Sequence, residues 1–385
     1  MSFKAFIHVQ HLLGTGHAVR AAAIGRALAE RGVEVTLATG NRLPPMLATD
    51  GLKIVELPAV RTLDAHFNRF VTPDGKEVDD DWRAARQKAT LKAFLADDYD
   101  LLLTETFPFG RRPFAFELEP LVEAAKDRDR APLIATSIRD ILVRKQELWK
   151  EEWMAERAER FYDRILIHSD PEFVRLEDSF PFADRVASLV RYTGFVNGEA
   201  KEEAPDGIGE DEVIVSCGGG AVGLSLLRAA IDAASLSRRA GDTAWRLLVG
   251  HDIDGDTFED LRRNLPENVI VERARPDFPA LLPRARASIS QAGYNTVLDI
   301  LVSGVPCVLV PFAQVRETEQ QQRAEALAAR GRATIVPERG LSPERLAAAL
   351  DDALAAPRRH FAVRLGGAQA SADILIADLQ ERFGR

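Results

Sequence analysis

Three stretches of this chain combine residue types that could do chemistry. The first is Gly14-Thr15-Gly16-His17, with Arg20 three residues on. A neutral imidazole at a glycine-rich turn can take a proton from a hydroxyl, worth typically ~10²–10⁴ in rate. Arg20 could meet a phosphate. The second is Ser216-Cys217-Gly218-Gly219-Gly220. Its glycines let the backbone approach an anion. The helix N-terminus that follows adds roughly 0.3–1 kcal/mol of favourable charge interaction, and Ser216 adds a hydroxyl. The third runs from Ser290 through Gly293, Asn295, Thr296 and Asp299 to Ser303-Gly304-Val305-Pro306 and a strand ending at Pro311. Asn295 or Thr296 can cap a helix, which Gly304 and Pro306 then end. Folding needs no acid at Asp299. A carboxylate there, near a loop opening toward strand ends, can hold vicinal hydroxyls such as those of a ribose. The first two stretches also have plainer readings: His17 as a helix-capping residue, Arg20 as a solvated charge, Gly218–Gly220 as a tight turn.

Other chemistries find little support. A dinucleotide fingerprint needs an acid about 20 residues after its first glycine. The second strand of the first half ends Thr39-Gly40-Asn41, and in the second half Asp252 lies too far on. There is no G-x-x-x-x-G-K-[ST], H-E-x-x-H, C-x-x-C or G-x-S-x-G. Asp252-Ile253-Asp254-Gly255-Asp256 lacks the later glycine and the glutamate of a calcium loop, and it reads, like Asp79-Asp80-Asp81, as a solvated turn. No metal site is expected. Trp149 and Trp153, one helical turn apart, suit packing between helices or a patch facing a membrane or an acceptor.

The elements that must position these residues alternate strand and helix. Lys4–Val9 is a buried strand, Ala18–Arg31 a helix ended by Gly32, and Val33–Ala38 the next strand, a βαβ unit. Ile54–Val60 reads as a strand, residues 61–92 as a polar insertion, 83–96 as a helix, and Asp100–Glu105 as a strand. The loop from Thr106 to Phe114, carrying Arg111 and Arg112, is rich in aromatics and arginine. Leu133–Thr136 is a strand, Ser137-Ile138-Arg139-Asp140 starts a long helix carrying both tryptophans, and Arg164–His168 is a strand. After an acidic, glycine-bearing linker the pattern repeats. Strands are expected at 212–217, 245–250, 269–272, 287–290, 307–311 and 334–336. Helices are expected at 222–234, 278–282 and 318–329, with one starting at Ser342-Pro343 and a last one at 368–383.

At 385 residues, 46% hydrophobic and 28% charged, the chain suits two globular domains. The net charge of −9 disfavours a nucleic-acid binder that works by neutralising phosphates. The two cysteines, Cys217 and Cys307, lie in apolar strands and read as buried thiols of a reducing compartment. The chain opens directly on a strand, with no signal segment expected. No apolar run reaches the ~18–20 residues of a membrane-spanning helix.

Three blocks make the chain resemble the GT-B glycosyltransferases: Gly14-Thr15-Gly16-His17-x-x-Arg20, Ser216-x-Gly218-Gly219-Gly220, and Ser290–Pro311 with Gln321-Gln322 beyond. It is most similar to the lipid-linked N-acetylglucosaminyltransferase family of peptidoglycan synthesis and its bacterial relatives. That resemblance implies two Rossmann-like, doubly wound α/β domains facing a central cleft. Residues 1–196 would bind the acceptor and 212–367 the nucleotide-sugar, with 197–211 as linker and the last helix, 368–385, crossing back. It places the base on His17 and the ribose-binding acid on Asp299. The diphosphate loop falls on Ser216 and Gly218–Gly220, and the donor-sugar contacts on Gln321 and Gln322, with Gln320 leaving the register open by one. Uracil recognition falls near Ala274 and Arg275, and further donor contacts on Gly293, Asn295 and Thr296. Acceptor or phosphate contacts fall on Gly14, Thr15, Gly16, Arg20, Glu105, Arg111, Arg112 and Arg139.

The implied reaction is metal-independent, inverting transfer of a sugar, N-acetylglucosamine in the relatives, from a UDP-sugar to a hydroxyl. The UDP-sugar is a co-substrate and no cofactor is implied. Gln291 and Asp299 stand where retaining enzymes carry E-x7-E, which favours inversion. The first glycine loop is one residue shorter than in the peptidoglycan enzyme, and the 104–114 loop has no counterpart there. The acceptor is therefore expected to differ from the peptidoglycan lipid intermediate, with a lipid-linked molecule left open. A cytoplasmic protein is expected, with peripheral contact at the inner membrane face also open. A nucleotide-sugar hydrolase or 2-epimerase, and a non-catalytic nucleotide-sugar-binding module, are the alternatives.

Overall fold

Short apolar runs become strands buried on both faces, as parallel sheets flanked by helices require. The computed structural model describes the chain apart from residues 1, 13–14, 45–46, 63–68, 197–202, 219–222, 313–317, 358–361 and 385. It forms two units, Met1–Gly198 with Arg364–Arg385, and Glu199–Val363. The first contains β1 (Lys4–Val9), α1 (Gly16–Ala29), β2 (Glu34–Thr39), β3 (Leu52–Glu56), the hairpin β4 (Arg61–Thr62) and β5 (Phe70–Val71), α2 (Asp80–Phe94), β6 (Leu101–Glu105) and α3 (Ala115–Lys126). It continues with β7 (Leu133–Arg139), α4 (Leu148–Phe161), β8 (Arg164–His168), α5 (Ala183–Val186) and β9 (Val190–Tyr192). Its main sheet runs β3-β2-β1-β6-β7-β8-β9, all parallel.

The second unit contains β10 (Val213–Ser216), α6 (Leu224–Ala233), β11 (Trp245–Val249), α7 (Gly255–Leu261), β12 (Val269–Arg273) and α8 (Phe278–Leu281). Then come β13 (Ala287–Ser290), α9 (Tyr294–Ser303), β14 (Cys307–Leu309), α10 (Glu319–Ala329), β15 (Thr334–Ile335) and α11 (Pro343–Ala355). Its parallel sheet runs β12-β11-β10-β13-β14-β15. The chain then returns to the first unit as α12 (Gly367–Phe383), whose Ala368, Ala372, Leu375 and Leu379 join the core formed with Ala21, Ile24 and Leu28 of α1. Arg164 holds Asp378 of α12 through two bonds of 2.7 and 2.8 Å.

Both sheets follow the doubly wound order in which the chain first builds to one side of its first strand and then to the other. The reversal lies between β1 and β6 in the first unit and between β10 and β13 in the second. Loops at the C-terminal ends of those strand pairs are where such sheets bind ligands.

Four expectations need correction. Ser137–Asp140 does not open a helix: β7 continues to Arg139 because Ile138 and Arg139 complete its ladder with Ile167 and His168, and α4 starts only at Leu148. The stretch at 203–211 is not a free linker. Arg284 binds the Ala204 carbonyl at 3.3 Å, and the Asp211 N–H donates to Arg284 O at 3.1 Å, which anchors it on the second unit. Neither Asn295 nor Thr296 caps α9, whose N-cap is Gly293. The acids at 252–256 hold a helix start, since Asp254 caps α7 through the Thr257 N–H, as Asp79 caps α2 through Trp82.

One buried ion pair secures α2 against α3. Arg86 and Glu117 are both fully buried and meet at 2.8 and 3.0 Å. Arg86 also donates to Pro58 O at 2.6 Å and Gln10 Oε1 at 2.9 Å, and Thr90 Oγ1 donates to Glu117 at 2.7 Å. A pair of this kind adds little beyond an apolar equivalent, but losing one partner strands the other charge. Glu117→Gln is therefore expected to cost the first unit about 3–5 kcal/mol in urea unfolding, and Arg86→Met with Glu117→Leu far less. Equal losses in the two proteins would refute this account.

Candidate functional site

In the first unit the switch point gathers side chains around one buried carboxylate. Glu105 ends β6 and is 3% exposed. His17, in the first turn of α1, places Nδ1 2.9 Å from Glu105 Oε1. Arg20, one turn later and also buried, reaches both carboxylate oxygens, with Nη2 on Oε1 and Nε 3.4 Å from Oε2. Thr106 Oγ1 donates to Oε1 at 3.0 Å and lies 3.1 Å from His17 Nδ1, and Ser137 Oγ donates to Oε2 at 2.8 Å. Three elements thus converge on one acid: α1, the end of β6 and the paired strand β7, where Glu105 and Ser137 are register partners.

The protonation states follow. Burial opposes ionisation of Glu105, but the Arg20 charge and the His17 hydrogen bond outweigh it and hold the carboxyl well below its usual range. An ionised carboxylate only accepts, so His17 Nδ1 carries the proton. Burial pushes the His17 imidazole down to about 3; Glu105 opposes this, while Arg111 and Arg20 add to it. The ring is therefore neutral, and Nε2 offers a lone pair. Among the described residues none hydrogen-bonds Nε2, and the side chain is 18% exposed. This arrangement can accept a proton from a bound hydroxyl and stabilise the resulting imidazolium against Glu105.

Backbone strain marks the same place. Thr106 has φ 72° and Arg111 φ 58°, the left-handed region that a β-branched residue rarely enters. Such conformations cost of order 1–3 kcal/mol each and persist where neighbours over-determine them. Thr106 turns its hydroxyl onto His17 and Glu105, and Arg111 donates Nε to Gln10 O at 2.7 Å. Burial lowers Arg111 to about 10, Glu105 opposing and Arg139 and Arg20 adding. Arg139 stands at the end of β7. Arg112 is not brought to this cluster: it is exposed and stacks over Trp149 at 5.3 Å. Thr15 is an exposed N-cap without a side-chain bond, and Gly16 begins α1. Gly14 lies outside the described residues. Trp153 packs edge-on against Phe107 at 5.9 Å, whereas Trp149 is 53% exposed.

In the second unit the switch point is lined by glycines and small hydroxyls, with one buried charge pair behind it: Arg323, fully buried, donates to Ala292 O at 2.7 Å and to Glu319 Oε1 at 2.6 Å. Ser216 Oγ accepts from the Gly218 N–H at 3.2 Å, and Gly218 has φ 76°. Gly219 and Gly220 lie outside the described residues. Gly223 starts α6 at φ 99°, where a Cβ would sit 2.4 Å from Cys217 Sγ, so no other residue fits that start. Ser290 pairs with Ser216 across β10 and β13. Neither α6 nor α9 has a side-chain cap, which leaves first-turn N–H groups available to an anion. Asn295 is exposed, and Thr296 and Asp299 are half-buried in α9.

The three glutamines of α10 differ in role. Gln320 is structural, its Oε1 accepting from Ala292 N at 3.1 Å and Phe312 N at 3.0 Å. Gln321 binds Glu325 on the surface at 2.6 Å. Gln322 Oε1 and, one turn earlier, Thr318 Oγ1 are buried without a partner among the described residues. Such orphaned oxygens cost about 1–3 kcal/mol each unless a ligand or water meets them. At the end of β12, Ala274 spends its N–H on Val249 O and its carbonyl on His251, and Arg275 is tied to Asp277 at 2.7 and 2.8 Å.

Residues 213–375 match the glycosyltransferase family 28 C-terminal domain. The match spans every strand and helix of the second unit and runs on into α12. A UDP-N-acetylglucosamine--N-acetylmuramyl-(pentapeptide) pyrophosphoryl-undecaprenol N-acetylglucosamine transferase of Brucella canis is 42% identical over 83 residues, which is 22% of this chain and 22% of that enzyme. Its Rhizobium etli namesake is 37% identical over 109 residues, 27% of this chain and 29% of that one. The chain therefore matches well under a third of the length of these curated relatives. Two solved structures extend the likeness of fold to nearly the whole chain. CalG4, the calicheamicin glycosyltransferase, gives a TM-score of 0.62 at 17% identity, covering 99% of this chain and 95% of that one. Acinetobacter baumannii MurG gives 0.61 at 16%, covering 97% and 99%. The fold is GT-B. No helix among the described residues is long and apolar enough to cross a membrane.

Sequence reasoning did not find Thr106, Ser137, His168 or Gln10 as parts of this site. The available signal was a polar residue at or near the end of three mainly apolar strands, Glu105, Ser137 and His168. The protonation scheme is testable without any substrate. His17 and His168 are both held down to about 3 by burial, far below the ordinary 6.5. Between those values the unfolded chain binds more protons than the native one, so stability falls as pH drops through that window. ¹⁵N NMR should show His17 neutral, with its proton on Nδ1, at pH 5, and the thermal midpoint should be lower at pH 5 than at pH 7.5. An imidazole titrating near pH 6.5 would contradict the assignment.

Proposed function

We propose that this protein is a glycosyltransferase in which the second unit binds a nucleotide-sugar, a UDP-sugar of the N-acetylglucosamine type, and the first unit activates an acceptor hydroxyl. The observation that carries this reading is the contact of His17 Nδ1 with the buried Glu105 Oε1 at 2.9 Å, which commits Nδ1 and leaves Nε2 to take a proton. In the proposed step the acceptor oxygen attacks the anomeric carbon and the bond to the diphosphate breaks. The hydroxyl proton passes to His17 Nε2. One such displacement inverts the anomeric centre. The Ser216–Gly218 turn and the uncapped starts of α6 and α9 suit the departing diphosphate. Asp299 would hold the ribose and Gln322 the donor sugar. No metal is invoked, and the described residues hold no cluster of three His, Cys, Asp or Glu side chains able to bind one. The acceptor is a hydroxyl compound, and a lipid-linked one at a membrane surface is supported by exposed Leu148 and Trp149 beside Arg112 and Lys150.

Thermal stabilisation across nucleoside diphosphates tests the donor, since a ligand at 100 times its Kd adds about 2.7 kcal/mol. UDP should stabilise and Asp299→Ala should abolish that shift; stabilisation by GDP or TDP alone would overturn the donor assignment. With an acceptor identified by product analysis, His17→Ala should lower kcat by about 10²–10⁴ while leaving UDP binding intact. Release of free sugar from a UDP-sugar without acceptor would instead mark a hydrolase.

A further inference from the structure

We propose that His168 is a positioning residue for the His17–Glu105 pair, acting through Ser137 to keep Glu105 oriented as the acceptor of the His17 proton. The inference rests on the base role given to His17 above. It starts from a buried chain of hydrogen bonds: Thr193 Oγ1 to His168 Nδ1 at 2.8 Å, His168 Nε2 to Ser137 Oγ at 2.8 Å, and Ser137 Oγ to Glu105 Oε2 at 2.8 Å. His168 is fully buried, Ser137 is 1% exposed, and Thr193 is 4% exposed.

One order of protons satisfies this chain. Ionised Glu105 only accepts, so the Ser137 hydroxyl proton is committed to Oε2. Ser137 then offers His168 only lone pairs, and Nε2 must donate. Burial and the Arg20 charge hold the His168 ring neutral against the opposing pull of Glu105. Nδ1 is therefore unprotonated and accepts from Thr193 Oγ1, whose hydroxyl also lies 2.9 Å from Gly194 O and 3.4 Å from Ile167 O. Every donor points toward the carboxylate, and such chains strengthen one another in a low dielectric. Oε2 is held by Ser137 and Arg20 Nε, which leaves Oε1 to face His17. An apolar residue would suit the buried end of β8 better, where Ile165, Leu166 and Ile167 precede His168. A fully buried imidazole is costly unless both nitrogens are used, and here the bonds at both lie on this chain.

The test compares His168→Phe, which fills the space without bonding, His168→Gln, whose amide can still donate to Ser137, and Ser137→Ala. Weakening the donors to Glu105 makes the carboxylate more basic, which raises the pKa of His17 and moves the acidic limb of kcat to higher pH. With a UDP-sugar and an acceptor, His168→Phe should lower kcat about tenfold with KM changed less than about twofold, a loss of the order of one buried hydrogen bond. His168→Gln should recover most of it. Adding His168→Phe to Ser137→Ala should cost nothing further, because the effect passes through Ser137. Should His168→Phe fail to fold, Ser137→Ala and His168→Gln carry the same comparison. The ¹⁵N shifts of His17 in each variant give a readout independent of turnover. An unchanged pH profile and unchanged His17 shifts in folded variants would overturn the inference, as would additive losses in the double variant. A wild-type protein without transferase activity whose His17 shifts still respond to His168→Phe would refute the function and leave the positioning role standing.

Discussion

The first unit is arranged around the burial of one carboxylate. An ion taken out of water must be met by opposite charge and by hydrogen bonds at its remaining lone pairs. Glu105 finds these only because several separate pieces of chain end at the same point: Arg20 and His17 from α1, Thr106 from its own loop, and Ser137 from the neighbouring strand. The parallel order of β1, β6 and β7 brings all of these to the C-terminal edge of one sheet. Because its lone pairs are committed, Glu105 keeps its charge, and that charge fixes which nitrogen of His17 carries the proton. The chemistry of the imidazole is thus a consequence of how the acid is buried.

The second unit has the same strand order at its switch point and puts it to a different use. Where the first unit places a buried acid beside a histidine, the second pairs Ser216 with Ser290 and starts two helices on glycine. Backbone N–H groups and small hydroxyls suit a ligand that brings its own negative charge. The buried oxygens of Thr318 and Gln322, unpartnered among the described residues, suit one that brings hydroxyl donors. One topology thus yields a buried acid–histidine pair in one half and a glycine turn flanked by small hydroxyls in the other, according to which side chains close the strands.

Much of the fold was legible in the sequence because its signals are local. Apolar runs marked the strands, Ser342-Pro343 marked the start of α11, and Gly304 marked the end of α9 with φ 69°. Local signals also misled. Ser137–Asp140 has the look of a helix start, yet the ladder between β7 and β8 uses those residues as strand. His17 could be singled out from its glycine context, and Glu105 from its loop. Their partnership could not, since 88 residues separate them and only the order β1-β6 closes that distance. Among the three glutamines, spacing could not rank Gln320, Gln321 and Gln322. Their different partners do, because helix position decides which of them meets the Ala292 backbone, which meets Glu325, and which turns a free oxygen inward.

The strained loop after β6 shows how the two buried ion pairs of the first unit depend on each other. Gln10, the residue after β1, uses its side chain to accept from Arg86 at 2.9 Å and to donate to His11 O at 2.9 Å, while its carbonyl accepts from Arg111 at 2.7 Å. The Arg86–Glu117 pair therefore fixes the peptide onto which Arg111 closes. At the other end of that loop, Thr106 is fixed by Glu105. Two residues held in the left-handed region are each clamped at one end of a six-residue segment by a different buried charge pair. Releasing either clamp would let the loop relax, and with it the Thr106 hydroxyl that shares the His17 proton. A structural ion pair outside the site thereby becomes a condition for the geometry around His17.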